Sequence, residues 1–167
     1  MYLFETKIIN DTTRLRIILV LIVSLILTSS GFGLPANQIS IHPNDSGNKA
    51  NSIYHVELKL ENDIPANATI LCRFPESFDL KNVIIAGSTT INGGFELKVK
   101  DNTVIMQRSG LGHVIKANTP VDLKFAEVIA PDVESVTYTI QVEVTVNSTS
   151  IARQDVNVVV KRQEIGK

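Results

Sequence analysis

The sequence has 167 residues, which fits one domain plus an additional segment, and its 16 basic and 17 acidic side chains nearly balance. The basic residues are scattered among acidic ones, which argues against a nucleic-acid partner. Cys72 is the single cysteine, which excludes an intrachain disulfide and a cysteine-based zinc site, and we expect its thiol to be buried.

The N-terminal residues have the features of an export signal. Arg14 and Arg16 stand directly before an apolar run over residues 17–27, and small residues follow at 28–33. We therefore interpret residues 1–33 as a signal peptide, cleaved after Gly33 or Ala36, or as an uncleaved signal anchor whose helix extends to Leu34. In both cases the positive-inside rule places the remainder outside the cytoplasm, either secreted or held at the membrane by the N-terminal segment.

From Pro35 onward the apolar residues alternate with polar ones, which is the pattern of strands with one buried face. Tyr54, Val56 and Leu58 alternate in this way with His55, Glu57 and Lys59. The predicted strands are residues 38–42, 54–61, 69–74, 83–86, 95–100, 103–107, 121–125, 136–146 and 156–161. We expect residues 34–52 to be a linker and first strand, 53–161 a sandwich and 162–167 a C-terminal tail.

Turn-forming residues separate these strands. Asp101-Asn102 predicts a hairpin, and Asn92-Gly93-Gly94 and Asn147-Ser148 predict further turns. Many short antiparallel strands favour an all-β, two-sheet, immunoglobulin-like sandwich of about nine strands, preceded by one N-terminal apolar helix. A partial barrel is the alternative.

Three segments carry a family resemblance: Asp63-Ile64-Pro65-Ala66, Phe74-Pro75-Glu76-Ser77-Phe78 and Asn102-Thr103-Val104-Ile105. They resemble the turn, the strand end and the later hairpin in immunoglobulin-like repeats of bacterial and archaeal cell-surface proteins, over about residues 39–161. Asn67 stands where those repeats have a turn glycine. The resemblance implies a surface or secreted β-sandwich that acts in adhesion, display or spacing, and it assigns no functional residue.

No catalytic, cofactor or metal site is expected from the side chains. His42, His55 and His113 have no ligand spacing, so surface imidazoles are the favoured interpretation. The segment from Ser109 to His113 lacks the strand-turn-helix context of a hydrolase nucleophile. Residues 44–48 could offer oxygen atoms to calcium but lack the spacing of a calcium loop. We therefore do not expect an enzyme.

Three sequons lie in predicted turns, at Asn44, Asn67 and Asn147, and are candidate glycosylation sites. Among the aromatic residues, only Phe78 is expected to be exposed and able to stack on a sugar.

We interpret the chain as a non-enzymatic, extracytoplasmic surface, adhesion or envelope-associated module with a protein or glycan partner. The alternatives are a glycan-binding or calcium-binding module, and a pilin-like subunit that packs through its N-terminal helix. If the long strand over residues 136–146 lies at a sheet edge, we expect it to accept a strand from another chain.

Overall fold

A computed structural model describes residues 37–162, which consist of nine β-strands and their connections and contain no helix. The strands are β1 (Gln38–Pro43), β2 (Asn51–Lys59), β3 (Thr69–Arg73), β4 (Ala86–Gly87), β5 (Phe95–Lys100), β6 (Thr103–Arg108), β7 (Val121–Ile129), β8 (Ser135–Val146) and β9 (Thr149–Lys161). This part of the chain has no helix able to span a membrane, and the predicted N-terminal helix lies outside it.

The strands form two antiparallel sheets, as the alternation predicts. Sheet A has the order β1-β2-β7-β4, and sheet B has the order β5-β6-β3-β8-β9. The sequence prediction of an all-β, two-sheet sandwich of about nine strands is confirmed.

The alternating residues build the core between the sheets. Along β2, Tyr54, Val56 and Leu58 are buried, while Glu57 and Lys59 are exposed. Across sheet B, Cys72 of β3 lies between Val104 of β6 and Val142 of β8, and all three side chains are buried. A strand that buries every second side chain in this way contributes about 1.5 to 3 kcal/mol per fully buried aliphatic residue.

Two hairpins connect neighbouring strands of sheet B through two-residue turns. Asp101 and Asn102 have φ angles of 46° and 55°, and Asn147 and Ser148 have φ angles of 50° and 65°. Positive φ at both central residues defines the type I′ turn, whose twist matches that of the flanking strands. The predicted hairpin at Asp101-Asn102 is present, and the second turn lets β9 pair with β8 from Thr149 onward.

One predicted strand is largely absent. Of residues 83–86, only Ala86 belongs to a strand, and together with Gly87 it forms a short ladder with β7. The Val83 amide donates instead to the Leu80 carbonyl in a turn, while the Val83 side chain is buried. This apolar run therefore supplies one core residue, and Ile84 and Ile85 remain exposed.

Candidate functional site

One of the two backbone edges of sheet B belongs to β9, its last strand. The Lys161 amide donates to the Ser46 carbonyl at 2.8 Å, and the Lys161 carbonyl accepts from the Asn48 amide at 2.7 Å. Lys161 therefore directs its backbone groups away from β8. Because this direction alternates along a strand, the same holds for the residues two, four, six and eight positions earlier, namely Val159, Asn157, Asp155 and Arg153.

The hypothesis that residues 136–146 offer a free edge is wrong. This segment belongs to β8, which lies between β3 and β9 in sheet B. β9 pairs with β8 along nearly its whole length, from Thr149 to Lys161, and so covers the side of β8 that the hypothesis needed. On this side of sheet B, the edge that can meet a partner strand is that of β9.

An open groove of about 670 Å³ lies beside the start of β1, the edge strand of sheet A. Its lining includes Gln38 and Ser40 of β1, Glu57 of β2, Asp122 of β7 and Gln154 of β9. The groove therefore connects the edge of one sheet with the edge of the other, and both polar and apolar residues line it.

A buried arginine anchors the loops at one end of the sandwich. The Arg108 side chain is 2% exposed, and its Nη1 donates to the carbonyls of Ile64 and Pro65 at 2.9 and 2.8 Å. Its Nη2 donates to the His113 carbonyl at 2.7 Å. The sequence analysis did not identify this residue, although Arg108 continues the inward alternation of Val104 and Met106.

Two glycines allow the loops around Arg108 to approach each other closely. A Cβ on Gly93, whose φ is 82°, would lie 2.4 Å from the Gly112 nitrogen. A Cβ on Gly112 would lie 2.3 Å from the Asn92 carbonyl oxygen and 2.8 Å from Arg108 Nη2. The Ser109 hydroxyl donates to the Gly93 carbonyl. The Ser109 to His113 segment thus packs against the arginine anchor, and its serine makes a structural contact.

The expectation that Phe78 is exposed is wrong. Its side chain is 2% exposed, and its ring contacts those of Phe74 and Tyr138 at centroid distances of 5.4 and 5.1 Å. The segment after β3 folds back over the core. Because Phe78 lies outside any strand, no alternation pattern predicts that its side chain is buried. The inward positions predicted for the other aromatic residues are correct: Tyr54, Phe74 and Phe125 are buried, and Phe95 and Tyr138 pack against the core.

The Cys72 thiol is buried, as expected, and burial raises its pKa to about 12. Since the thiolate is the reactive form, this side chain packs as a small apolar group and is not available as a nucleophile.

The structure brings together two histidines that the sequence analysis treated separately. His42 of β1 and His55 of β2 are register partners, and their rings are stacked with centroids 5.2 Å apart and planes 10° apart. His113 lies in the exposed loop beside Arg108. Residues 37–162 contain no group of three or more metal-ligating side chains.

The loop that could have offered oxygen atoms to calcium forms a local turn. Asp45 Oδ1 accepts a hydrogen bond from the Gly47 amide at 2.7 Å, the pattern of an Asx turn. The Asp45 amide donates to the Ser52 hydroxyl at 3.0 Å, which ties the loop to the start of β2.

The three sequon asparagines all lie in turns or loops with exposed side chains. Asn67 and Asn147 come from different loops, yet Asn67 Nδ2 donates to Asn147 Oδ1 at 3.1 Å. Asn44 lies elsewhere, directly after β1. Glycosylation at the three positions stays a prediction.

Comparison with solved structures finds a similar β-sandwich fold in another protein. No family model and no curated relative matches the chain. The N-terminal domain of the Streptococcus gordonii adhesin Sgo0707 is similar in structure with a TM-score of 0.52 and 13% sequence identity, over 77% of this chain and 33% of that chain. The chain therefore spans about a third of the adhesin structure's length.

Two further structures have looser similarity. The major pilin subunit BcpA of Bacillus cereus gives a TM-score of 0.46 and 9% identity, over 74% of this chain and 41% of that chain. A non-cellulosomal cohesin from the archaeon Archaeoglobus fulgidus gives 0.45 and 13%, over 74% of this chain and 91% of that chain. At these levels of identity the similarity concerns the β-sandwich fold.

Proposed function

We propose that this chain is a non-enzymatic module of the extracytoplasmic surface that acts in adhesion or in the cell envelope. The observation that carries the proposal is the sandwich fold shared with the N-terminal domain of a bacterial adhesin. The N-terminal residues 1–33 support it independently, because their basic and apolar order is that of an export signal.

The partner in this proposal binds along the outer edge of β9. A β-sandwich can accept an extended segment as an additional strand, with affinity from backbone hydrogen bonds and specificity from side chains. The outward groups of Arg153, Asp155, Asn157 and Val159 supply the donors and acceptors, and the hydrogen bonds of Lys161 close the end of this edge. We propose a protein partner for this surface.

Glycosylation is part of the same proposal. Asn44, Asn67 and Asn147 carry the acceptor pattern and are exposed, so a host with the glycosylation machinery is expected to modify them. A glycan on Asn67 would stand beside Asn147 in the β8–β9 turn, given the hydrogen bond between the two side chains.

The location is tested by the intact mass and N-terminal residue of the protein isolated from its own host, measured separately in the medium and in the membrane fraction. A soluble form that begins at Leu34 or Asn37 would establish secretion, and a membrane form that retains Met1 would establish anchoring. Additional hexose mass, lost on substituting the three asparagines with glutamine, would establish glycosylation. Recovery of the chain with Met1 in the soluble cytoplasmic fraction would contradict export.

The binding edge is tested by Asn157→Pro, a substitution in β9. Because the Asn157 amide faces away from β8, proline removes a donor from the outer edge and leaves the β8–β9 ladder intact. We expect binding of the full-length protein to envelopes of its own host to weaken about tenfold, the effect of losing about 1.4 kcal/mol of binding free energy.

The matched control is Val99→Pro, on the opposite edge of the same sheet. The two-residue turn at Asp101-Asn102 makes Lys100 and Thr103 a hydrogen-bonded pair, so the Val99 amide also faces outward. Equal envelope binding by the two variants, with both folded by circular dichroism, would exclude the β9 edge as the binding surface.

A further inference from the structure

The outer face of sheet A carries a pair of imidazoles in direct contact. Residue 42 of β1 is the register partner of residue 55 of β2, and both side chains point away from the core because their neighbours Ile41, Tyr54 and Val56 point into it. Cross-strand partners have Cβ atoms only about 4.5 to 5.5 Å apart, so their side chains are within reach of a common ligand.

We propose that His42 and His55 together bind a borderline divalent transition-metal ion such as Zn²⁺, Ni²⁺ or Cu²⁺. Imidazole nitrogen is a preferred ligand of these ions. Two imidazoles supply two positions, and solvent or an external ligand completes the coordination.

The distance between the rings suits such an ion. A zinc–nitrogen bond is about 2.0 to 2.1 Å, so two imidazoles at a tetrahedral angle place their centroids about 5 Å apart. The observed separation is 5.2 Å. The planes are nearly parallel, so binding requires the rings to turn about their terminal χ bonds, which have broad preferences, while the strands stay in place.

A buried and unpaired ring atom is the second observation. His55 Nε2 is buried, and no protein group of the described chain forms a hydrogen bond with it. A buried polar atom without a partner costs free energy, which a bound ion would recover. Burial, then the nearby Lys124 ammonium and His42, lower the pKa of His55, whereas Glu57 and Asp122 oppose this shift.

The charges around the pair have opposing effects. Lys124 of β7 is the register partner of His55, and its ammonium repels a cation. The carboxylates of Glu57 on β2 and Asp122 on β7 form the next pair on the same face, two residues further along the strands, and they attract a cation. Removal of the Lys124 charge should therefore strengthen metal binding without changing either ligand.

The test is calorimetric titration of the full-length chain, purified in detergent without a histidine tag, with Zn²⁺ and separately with Ni²⁺ at pH 7.5. We expect no more than one ion per chain and no heat from Mg²⁺, a hard cation that prefers oxygen ligands. His42→Gln and His55→Gln are each expected to weaken Zn²⁺ binding by about tenfold or more, since each removes one of two imidazoles.

Two variants keep the outcome specific. Lys124→Gln is expected to strengthen Zn²⁺ binding severalfold, and His113→Gln, which removes the third and remote histidine, is expected to leave it unchanged. In a measurement that needs no substitution, Zn²⁺ should shift the imidazole NMR signals of His42 and His55 and leave those of His113 in place. Absence of Zn²⁺ binding, equal loss in the His113 variant, or unshifted His42 and His55 signals would overturn the proposal.

Discussion

Replacing Arg108 with methionine is expected to lower the free energy of unfolding by about 1 to 3 kcal/mol, because the His113 carbonyl loses its donor and an unpaired buried polar group costs about that much. The carbonyls of Ile64 and Pro65 also lose a bond from Arg108, but each keeps a backbone amide donor, from Ile115 and Ala68 respectively. Methionine keeps much of the arginine's apolar stem, so the loss reports the guanidinium contacts. Urea denaturation followed by circular dichroism measures the change.

Arg73→Met is the matched control for this prediction. Arg73 lies on the exposed outer face of sheet B, where its Nη1 donates to Gln141 Oε1 at 3.0 Å. Its loss is expected to change the free energy of unfolding by about 0.5 kcal/mol or less, as is usual for surface substitutions. If the two methionine variants unfold at the same urea concentration, Arg108 does not anchor the loops.

The substitution Phe78→Ala is expected to destabilise the sandwich by about 3 to 5 kcal/mol, the usual cost of removing a buried phenylalanine ring. The Phe78 ring fills the space between Phe74 and Tyr138, with tilted and edge-to-face geometry. The segment after β3 is too constrained by its hydrogen bonds to collapse into the cavity, since the Asp79 amide and carbonyl both pair with Ile129. Thermal unfolding measures this effect as a lower Tm.

Leu111→Ala is the control for Phe78→Ala, because it also truncates a large apolar side chain outside the strands. Leu111 is 85% exposed, so its truncation leaves no cavity and is expected to be nearly neutral. An exposed, sugar-stacking Phe78 would give the opposite pattern, with stability unchanged and glycan binding lost. The two measurements together distinguish a core residue from a binding residue.

The strands were predictable because each one buries a single face, and the alternation that results is local. Cys72 could be assigned to the core because it shares the phase of Ile70 and Phe74, and all three are buried. The hairpin at Asp101-Asn102 was predictable because both residues tolerate the positive φ of a type I′ turn.

The burial of Arg108 could have been predicted, since Arg108 follows Val104 and Met106 at the same two-residue spacing and therefore lies on the inward face. Because buried charged residues are rare, the strand was predicted to end one residue earlier, at Gln107. Phe78 offered no such signal. It lies outside any strand, and its burial depends on where the segment after β3 folds in three dimensions.

By itself the sequence determined the class of the fold and the phase of nearly every strand, because burial of alternate side chains depends on the period of the strand. It also predicts an export signal in residues 1–33, and it carries the three sequons. Only the tertiary structure decided which strand lies at an edge, which loops Arg108 connects and which histidines meet. These depend on strand order and register between distant segments: β9 covers β8, and Gln38–Pro43 aligns with β2 so that His42 faces His55. Pairing partners are chosen by the packing of the whole sandwich, and no local pattern encodes them.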